Sequence, residues 1–193
     1  MYSQKGYCLL ELLFVGWLGL VLTVAVVPNI LASMDERRAA GAVRYLTTRC
    51  ASARLEAVRT SRDVAVRFAQ AGREYSYAVY ADGNGDGVRT RDIQRGVDVQ
   101  LTPIERLSTD FPGVGLAVPS GLPPVDSGSP IDGDPLKLGS GNLLSYSPQG
   151  TSTSGSIYVR GRSGAQYVIK ALGETGRLRT LKFNSRWKRW DPA

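Results

Sequence analysis

Histidine is absent from all 193 residues, which removes the commonest general base and metal ligand at neutral pH. Cysteine is nearly absent too, with only Cys8 and Cys50. Cys8 lies inside an N-terminal apolar segment, so a Cys8–Cys50 disulfide is not expected. Neither a disulfide framework nor a zinc spacing is visible. A fold without bridges must rely on its core, and the chain is long enough to build one. Serine and threonine are plentiful but have no histidine to activate them. No glycine loop followed by lysine is present to cradle a phosphate, and the scattered carboxylates of the middle segment form no acid/base pair. Neither an enzyme nor a bound cofactor or metal is expected.

What is present is ordinary for a folded protein, with 42% hydrophobic and 21% charged residues. Many of the 22 glycines and 10 prolines fall after residue 110, which predicts a β-rich, loop-rich C-terminal half. The net charge of +7 is uneven. Residues 35–62 carry seven bases and three acids, residues 82–136 four bases and nine acids, and residues 160–193 nine bases and two acids. An acidic middle thus separates two basic stretches.

The N-terminus reads MYSQKG and is followed by YCLLELLFVGWLGLVLTVAVVP. The 19 residues from Leu9 to Val27 are interrupted by one charge, Glu11. A helix of that length reaches roughly 28 Å, close to the hydrocarbon thickness of a bilayer. Lys5 ahead of it favours a cytoplasmic N-terminus. A carboxylate inside a membrane helix costs a few kcal/mol on insertion scales, so Glu11 calls for a partner. A cut after Gly6 would leave an α-amine on Tyr7 and make Glu11 the fifth residue. The amine of one helix could then pair with Glu11 of a neighbour, and assembly would remove the penalty. A secretory signal cut after Ala32 and an unprocessed anchor are the other readings, but both leave the Gly–aromatic–x–x–x–Glu spacing unexplained.

Lys5-Gly6-Tyr7-Cys8-Leu9-Leu10-Glu11 resembles the type IV prepilin cleavage site. The resemblance implies cleavage between Gly6 and Tyr7 by a prepilin peptidase, N-methylation of Tyr7, and assembly through Glu11. Pro28 falls where that family commonly places a helix-kinking proline. Tyr at the first mature position, where phenylalanine is usual, and Cys8 after it are departures.

Residues 35–62 place Val43, Leu46, Cys50, Ala53, Ala57 and Val58 at spacings of three and four, one apolar stripe on an amphipathic helix. One long helix from about Leu9 to about Thr60 is predicted. Val64–Ala69 and Tyr75–Ala81 flank Ala71-Gly72-Arg73 and read as a hairpin. Val97–Leu101 and Val114–Val118 are shorter candidate strands, and residues 119–141 read as a long loop. Leu143–Ser147, Ser156–Arg160, Gln166–Leu172 and Leu178–Asn184 read as a closing antiparallel set. The fold class is α+β.

Ala53-Arg54-Leu55-Glu56-Ala57-Val58 followed by Val64-Ala65-Val66 resembles the helix-to-strand junction of GspH/FimT proteins. Gly155-Ser156-Ile157-Tyr158-Val159 and Gly176-Arg177-Leu178-Arg179 resemble their C-terminal hairpin. The resemblance implies a leader of residues 1–6 and an N-terminal helix of residues 7–62, with a transmembrane part over about 9–31. It also implies a domain over 63–193 in which an antiparallel β-sandwich packs on the helix. Its members are minor pseudopilins of type II secretion or minor pilins of pilus assembly and DNA uptake. They would be held in the bacterial inner membrane by one pass, with the C-terminal domain in the periplasm, and join a filament after assembly. The implied partners are prepilin peptidase, other pseudopilins or pilins, and membrane lipid.

Two further motifs carry chemistry. Asp82-Gly83-Asn84-Gly85-Asp86-Gly87 resembles the start of an EF-hand calcium loop, but the twelfth position is Ile93, and Asp92 falls one residue early. A flexible turn between strands is the reading preferred to a calcium site, with Asp98 as a substitute ligand in the latter. The basic set Arg177, Arg179, Lys182, Arg186, Lys188 and Arg189 is interleaved with Trp187 and Trp190. Clustered cations neutralise phosphates and aromatics stack on bases, so DNA is a candidate partner. A solubilising edge strand and tail is the alternative. Gly176-Arg177-Leu178-Arg179 is similar to the Gly-Arg-x-Arg motif of the DNA-uptake members.

Overall fold

The computed structural model describes residues 9–125, 133–139 and 141–193; within its first helix the side chains at 25, 26, 28 and 29 are not described. Gly6, Tyr7 and Cys8 lie outside the described residues, as does the Pro28 side chain.

Helix α1 runs unbroken from Leu9 to Thr60. It stops where Ser61 takes a positive φ of 51°, a conformation that ends helices, and Arg62 N–H reaches back to the Ala57 carbonyl at 3.3 Å. In its second half Ala39, Ala42, Val43, Leu46, Cys50, Ala53 and Ala57 are buried along one stripe. The expected stripe is thus corrected at both ends. It starts earlier, at Ala39, and it omits Val58, which is 48% exposed. Val58 follows Ala57 by one position, about 100° around the helix, which carries it out of the contact face.

Strands β1 (Val64–Ala71) and β2 (Glu74–Ala81) form a hairpin whose register closes at Ala71 opposite Glu74. The two-residue turn carries Gly72 at φ 70°, the positive φ that a tight hairpin turn demands at its first position. Short strands β3 (Val99–Gln100) and β4 (Glu105–Arg106) pair with the free edge of β2. Helices α2 (Thr90–Arg95) and α3 (Leu107–Asp110) sit before and after them. Strands β5 (Gly115–Leu116), β6 (Leu136–Lys137) and β7 (Leu143–Tyr146) follow. The chain ends in β8 (Gly155–Arg160), β9 (Gln166–Leu172), β10 (Arg177–Asn184) and β11 (Arg189–Pro192).

These strands build two antiparallel sheets. One is ordered β3-β2-β1-β7, with β4 also on β2; the other is β11-β10-β9-β8-β5, with β6 also on β8. The expected closing set of four strands is therefore split. β7 leaves it to pair with β1, Val64 opposite Tyr146. The seven residues from Gln149 to Gly155 let the chain cross between sheets, and Leu144 and Tyr146 put their side chains into the core from the β1 side.

One apolar cluster joins α1 to both sheets. The helix stripe meets Val64, Val66, Phe68, Tyr77, Val79, Leu144 and Tyr146 of the first sheet and Ile157, Val159, Tyr167, Ile169 and Ala171 of the second. Burying such side chains contributes ~1.5–3 kcal/mol each. Leu136 and Leu138, from the segment expected to be loop, are also in this core. A second, smaller cluster of Ala65, Ala78, Tyr80 and Val88 covers the other face of β1 and β2.

Candidate functional site

The two halves of α1 have opposite surfaces. Every described large apolar side chain from Leu9 to Met34 is exposed, including Leu9 at 74% and Trp17 at 60%. They point in all directions around the helix, so no face of this half is reserved for packing on the rest of the chain. Thr23 donates its hydroxyl to the Gly19 carbonyl of its own helix at 2.8 Å, so this polar group is satisfied without a partner. Glu11 is exposed within this surface. Among the described residues no helix is long and apolar enough to cross a membrane. The span expected over about 9–31 is not found among the described residues.

The second half is tied to the β strands by polar contacts on both flanks. Toward the first sheet, Tyr45 donates to Glu105 at 2.9 Å, and Arg49 donates to Tyr45 and pairs with Glu105. Burial, then the neighbouring Glu105, raises the Tyr45 pKa, so the phenol stays protonated and acts as a donor. Toward the second sheet, Arg54 Nε donates to the Gly150 carbonyl at 2.9 Å. Gly176 packs against the same group: a Cβ there would lie 2.1 Å from the Gly150 oxygen and 2.9 Å from Arg54 Nε, and its φ is 61°. Lower down, Lys182 of β10 pairs with Glu36 of α1. Cys50 is fully buried, and burial pushes its thiol up to about 12, so it packs as an inert apolar group.

The C-terminal basic set does not form one patch. Arg177 and Arg179 alternate with Leu178 on β10 and are exposed on one face, with Lys170 of β9 directly opposite Arg179. Neither arginine has an ion-pair partner among the described residues. Lys182 lies on the other face, held by Glu36, and Arg189 pairs with Asp191 at 2.8 Å. Arg186 and Lys188 belong to the tip between β10 and β11, where Arg186 sits 5.6 Å from the Trp187 ring centre. Trp187 is exposed, whereas Trp190 packs edge-on to Phe183 and Tyr158 and donates to the Pro123 carbonyl at 3.0 Å.

The acidic loop uses its carboxylates as backbone acceptors. Asp82 accepts from Asn84, Gly85 and Gly87 N–H at 3.0, 2.9 and 2.9 Å, and Asp98 from Gly83 and Arg89 N–H at 3.2 and 2.9 Å. Burial, the largest single influence, pushes the Asp82 pKa up, but the backbone donors together hold it below the ordinary value. Asp86 pairs with Arg89 at 2.8 Å. Among the described residues no three His, Cys, Asp or Glu side chains are placed to hold a metal ion. Gly83 is required for another reason: a Cβ there would lie 1.9 Å from the Val97 carbonyl oxygen.

Sequence reasoning missed the Tyr45–Arg49–Glu105 bridge and the Arg54–Gly150–Gly176 dock. Arg54 and Gly176 stand in the two motifs that signalled the resemblance, but their contact depends on a pairing that no local pattern reveals. A family model described as type II transport protein GspH matches residues 42–173. No curated protein and no solved structure matches the chain. The matched span covers the packed half of α1 and most of the two sheets, and leaves out both Glu11 and the basic set of β10 and β11.

Proposed function

The chain belongs to the GspH family, and on that premise we propose that it is a minor pseudopilin or pilin, a non-catalytic subunit of a type II secretion or type IV pilus system. Its exposed apolar half of α1 carries the reading: about sixteen large side chains left in water would each forfeit ~1.5–3 kcal/mol. Lipid before assembly, and neighbouring helices after it, would cover that surface. Under this reading prepilin peptidase cuts between Gly6 and Tyr7 and methylates the Tyr7 amine. Glu11 then pairs with the amine of an adjacent subunit and sets the register, and Pro28 adjusts the helix path. The two sheets and the packed half of α1 form a pilin-like sandwich domain, residues 63–193 with their share of the helix, on the periplasmic side of the inner membrane. Glu11→Ala should leave membrane fractionation intact and abolish co-purification with the other pseudopilins. Unchanged co-purification would reject the assembly role of Glu11.

A second reading, DNA binding, is favoured by one observation: Arg177 and Arg179 stand exposed on one face of β10, without ion pairs among the described residues. Under it Arg177 and Arg179 contact phosphates, while Lys182 and Arg189 are committed to Glu36 and Asp191. Arg177→Ala with Arg179→Ala should abolish a salt-sensitive gel shift while sparing co-purification. A wild-type chain that gives no shift at low salt would end this reading.

A further inference from the structure

β10 runs antiparallel to α1, and three contacts fix its height on the helix. Gly176, before its first residue, abuts Arg54; Lys182 pairs with Glu36; and the β8–β9 turn abuts the helix at Ala39, where a Cβ on Gly161 would lie 2.9 Å from the Ala39 Cβ. Arg54 and Glu36 are about 27 Å apart along the helix axis. The chain past Lys182 therefore continues down toward the exposed apolar half of α1. At about 3.4 Å per residue, Ser185 lies roughly 10 Å beyond Lys182. The lower rim of the domain thus carries the Ser185–Lys188 tip and, from the β8–β9 turn, the exposed Arg162.

The tip is built to hold its side chains outward. The Asn184 side-chain oxygen accepts from Arg186 N–H at 3.1 Å and Trp187 N–H at 3.3 Å, and Lys188 closes the turn at φ 48°. Trp187 is 64% exposed, unlike its neighbour Trp190. The acids at this end are mostly neutralised locally: Asp35 pairs with Arg38, Glu36 with Lys182 and Asp191 with Arg189. Asp110, beside the Phe111 ring that packs on Gly41, has no ion-pair partner among the described residues. Arg162, Arg186 and Lys188 leave the rim basic around an exposed indole.

We propose that this rim, Trp187 with Arg186, Lys188 and Arg162, is a docking surface for a bilayer with anionic headgroups, holding the β strands upright on the membrane. Indole rings favour the headgroup level, and each basic residue near an anionic surface adds an attraction that salt weakens. The proposal rests on the reading that the first half of α1 lies in lipid.

The test uses the full chain in vesicles of phosphatidylethanolamine and phosphatidylglycerol, with lipids brominated either near the headgroup or near the bilayer centre. Difference emission against Trp187→Phe isolates Trp187, and difference emission against Trp17→Phe isolates Trp17. The expected result is loss of Trp187 emission with the shallow bromines only, reduced by high salt and by replacing phosphatidylglycerol with phosphatidylcholine. Trp17 should be quenched by deep bromines regardless of salt. Quenched Trp17 with unquenched, water-exposed Trp187 overturns the rim proposal alone. Quenched Trp187 with unquenched Trp17 overturns the reading of α1 and retains the lipid contact. Neither quenched overturns both.

Discussion

The two halves of α1 share one continuous helix and differ in everything around it. From Glu36 to Ala57 the helix buries a stripe dominated by small residues and ties both flanks to the β domain through Glu36, Arg49 and Arg54. From Leu9 to Met34 it exposes large apolar side chains on every side, with Glu11 the single ionisable residue between them. The difference teaches that one half is completed by its own chain and the other is not; under the proposed function lipid and neighbouring helices complete it. Small residues suit the first task because they let two sheets approach the backbone. Large residues around the whole circumference suit the second, where no particular face is reserved.

Substitutions of equal size in the two halves should expose this most strongly. Leu46→Ala should lower unfolding stability by about 2–5 kcal/mol, because a fully buried side chain leaves a cavity among both sheets. Leu18→Ala should change the same unfolding stability by less than about 0.5 kcal/mol. Comparable losses would erase the distinction.

Next in size is the dock of the packed half on the second sheet. Gly176→Ala forces a side chain into the space of the Gly150 oxygen at a positive φ and should cost about 1–3 kcal/mol. Arg54→Ala removes a charge-assisted bond to the same carbonyl and should cost about 1.5–3 kcal/mol. If Arg54 and Gly176 act as one unit, the double variant should cost less than the sum. Full additivity would separate them.

The smallest effect expected is a response to acid in the Asp82–Asp98 loop. The folded-state pKa of Asp82 lies below the ordinary value of 3.8. Its contribution to stability is therefore complete above that value and declines as pH falls through the folded pKa. Hydrogen exchange at Asn84, Gly85 and Gly87 should quicken over that window, and Asp82→Asn should quicken it already at neutral pH. A pH-independent exchange rate would show that the carboxylate does not organise the turn.

Much of this was legible from local pattern. The end of α1 follows from its three-and-four spacing, and the β1–β2 hairpin, β8, β9 and β10 follow from β-branched and aromatic runs bounded by turn residues. The two-residue strands β3 to β6 carry no period, and the polar β11 is strand only because β10 offers it an edge. The transfer of β7 to the first sheet depends on which edge is free, a tertiary matter. Among the site residues, composition singled out the basic set but could not divide it. Lys182 is taken by Glu36, 146 positions away in sequence, and Arg177 and Arg179 face the other way. The acidic loop resembles the start of a cation site, yet Asp, Asn and Gly at those positions equally suit the preferred reading, a turn, and here the carboxylates receive backbone N–H groups.

The central claim, that the halves of α1 are covered by different partners, is tested most directly by hydrogen exchange. The full chain in phosphatidylethanolamine and phosphatidylglycerol vesicles would be followed before and after urea unfolds the β strands. The amides of 9–34 should stay protected while those of 39–57 lose protection with the sheets. Simultaneous loss in both halves, or an unprotected 9–34 before urea is added, would contradict the account.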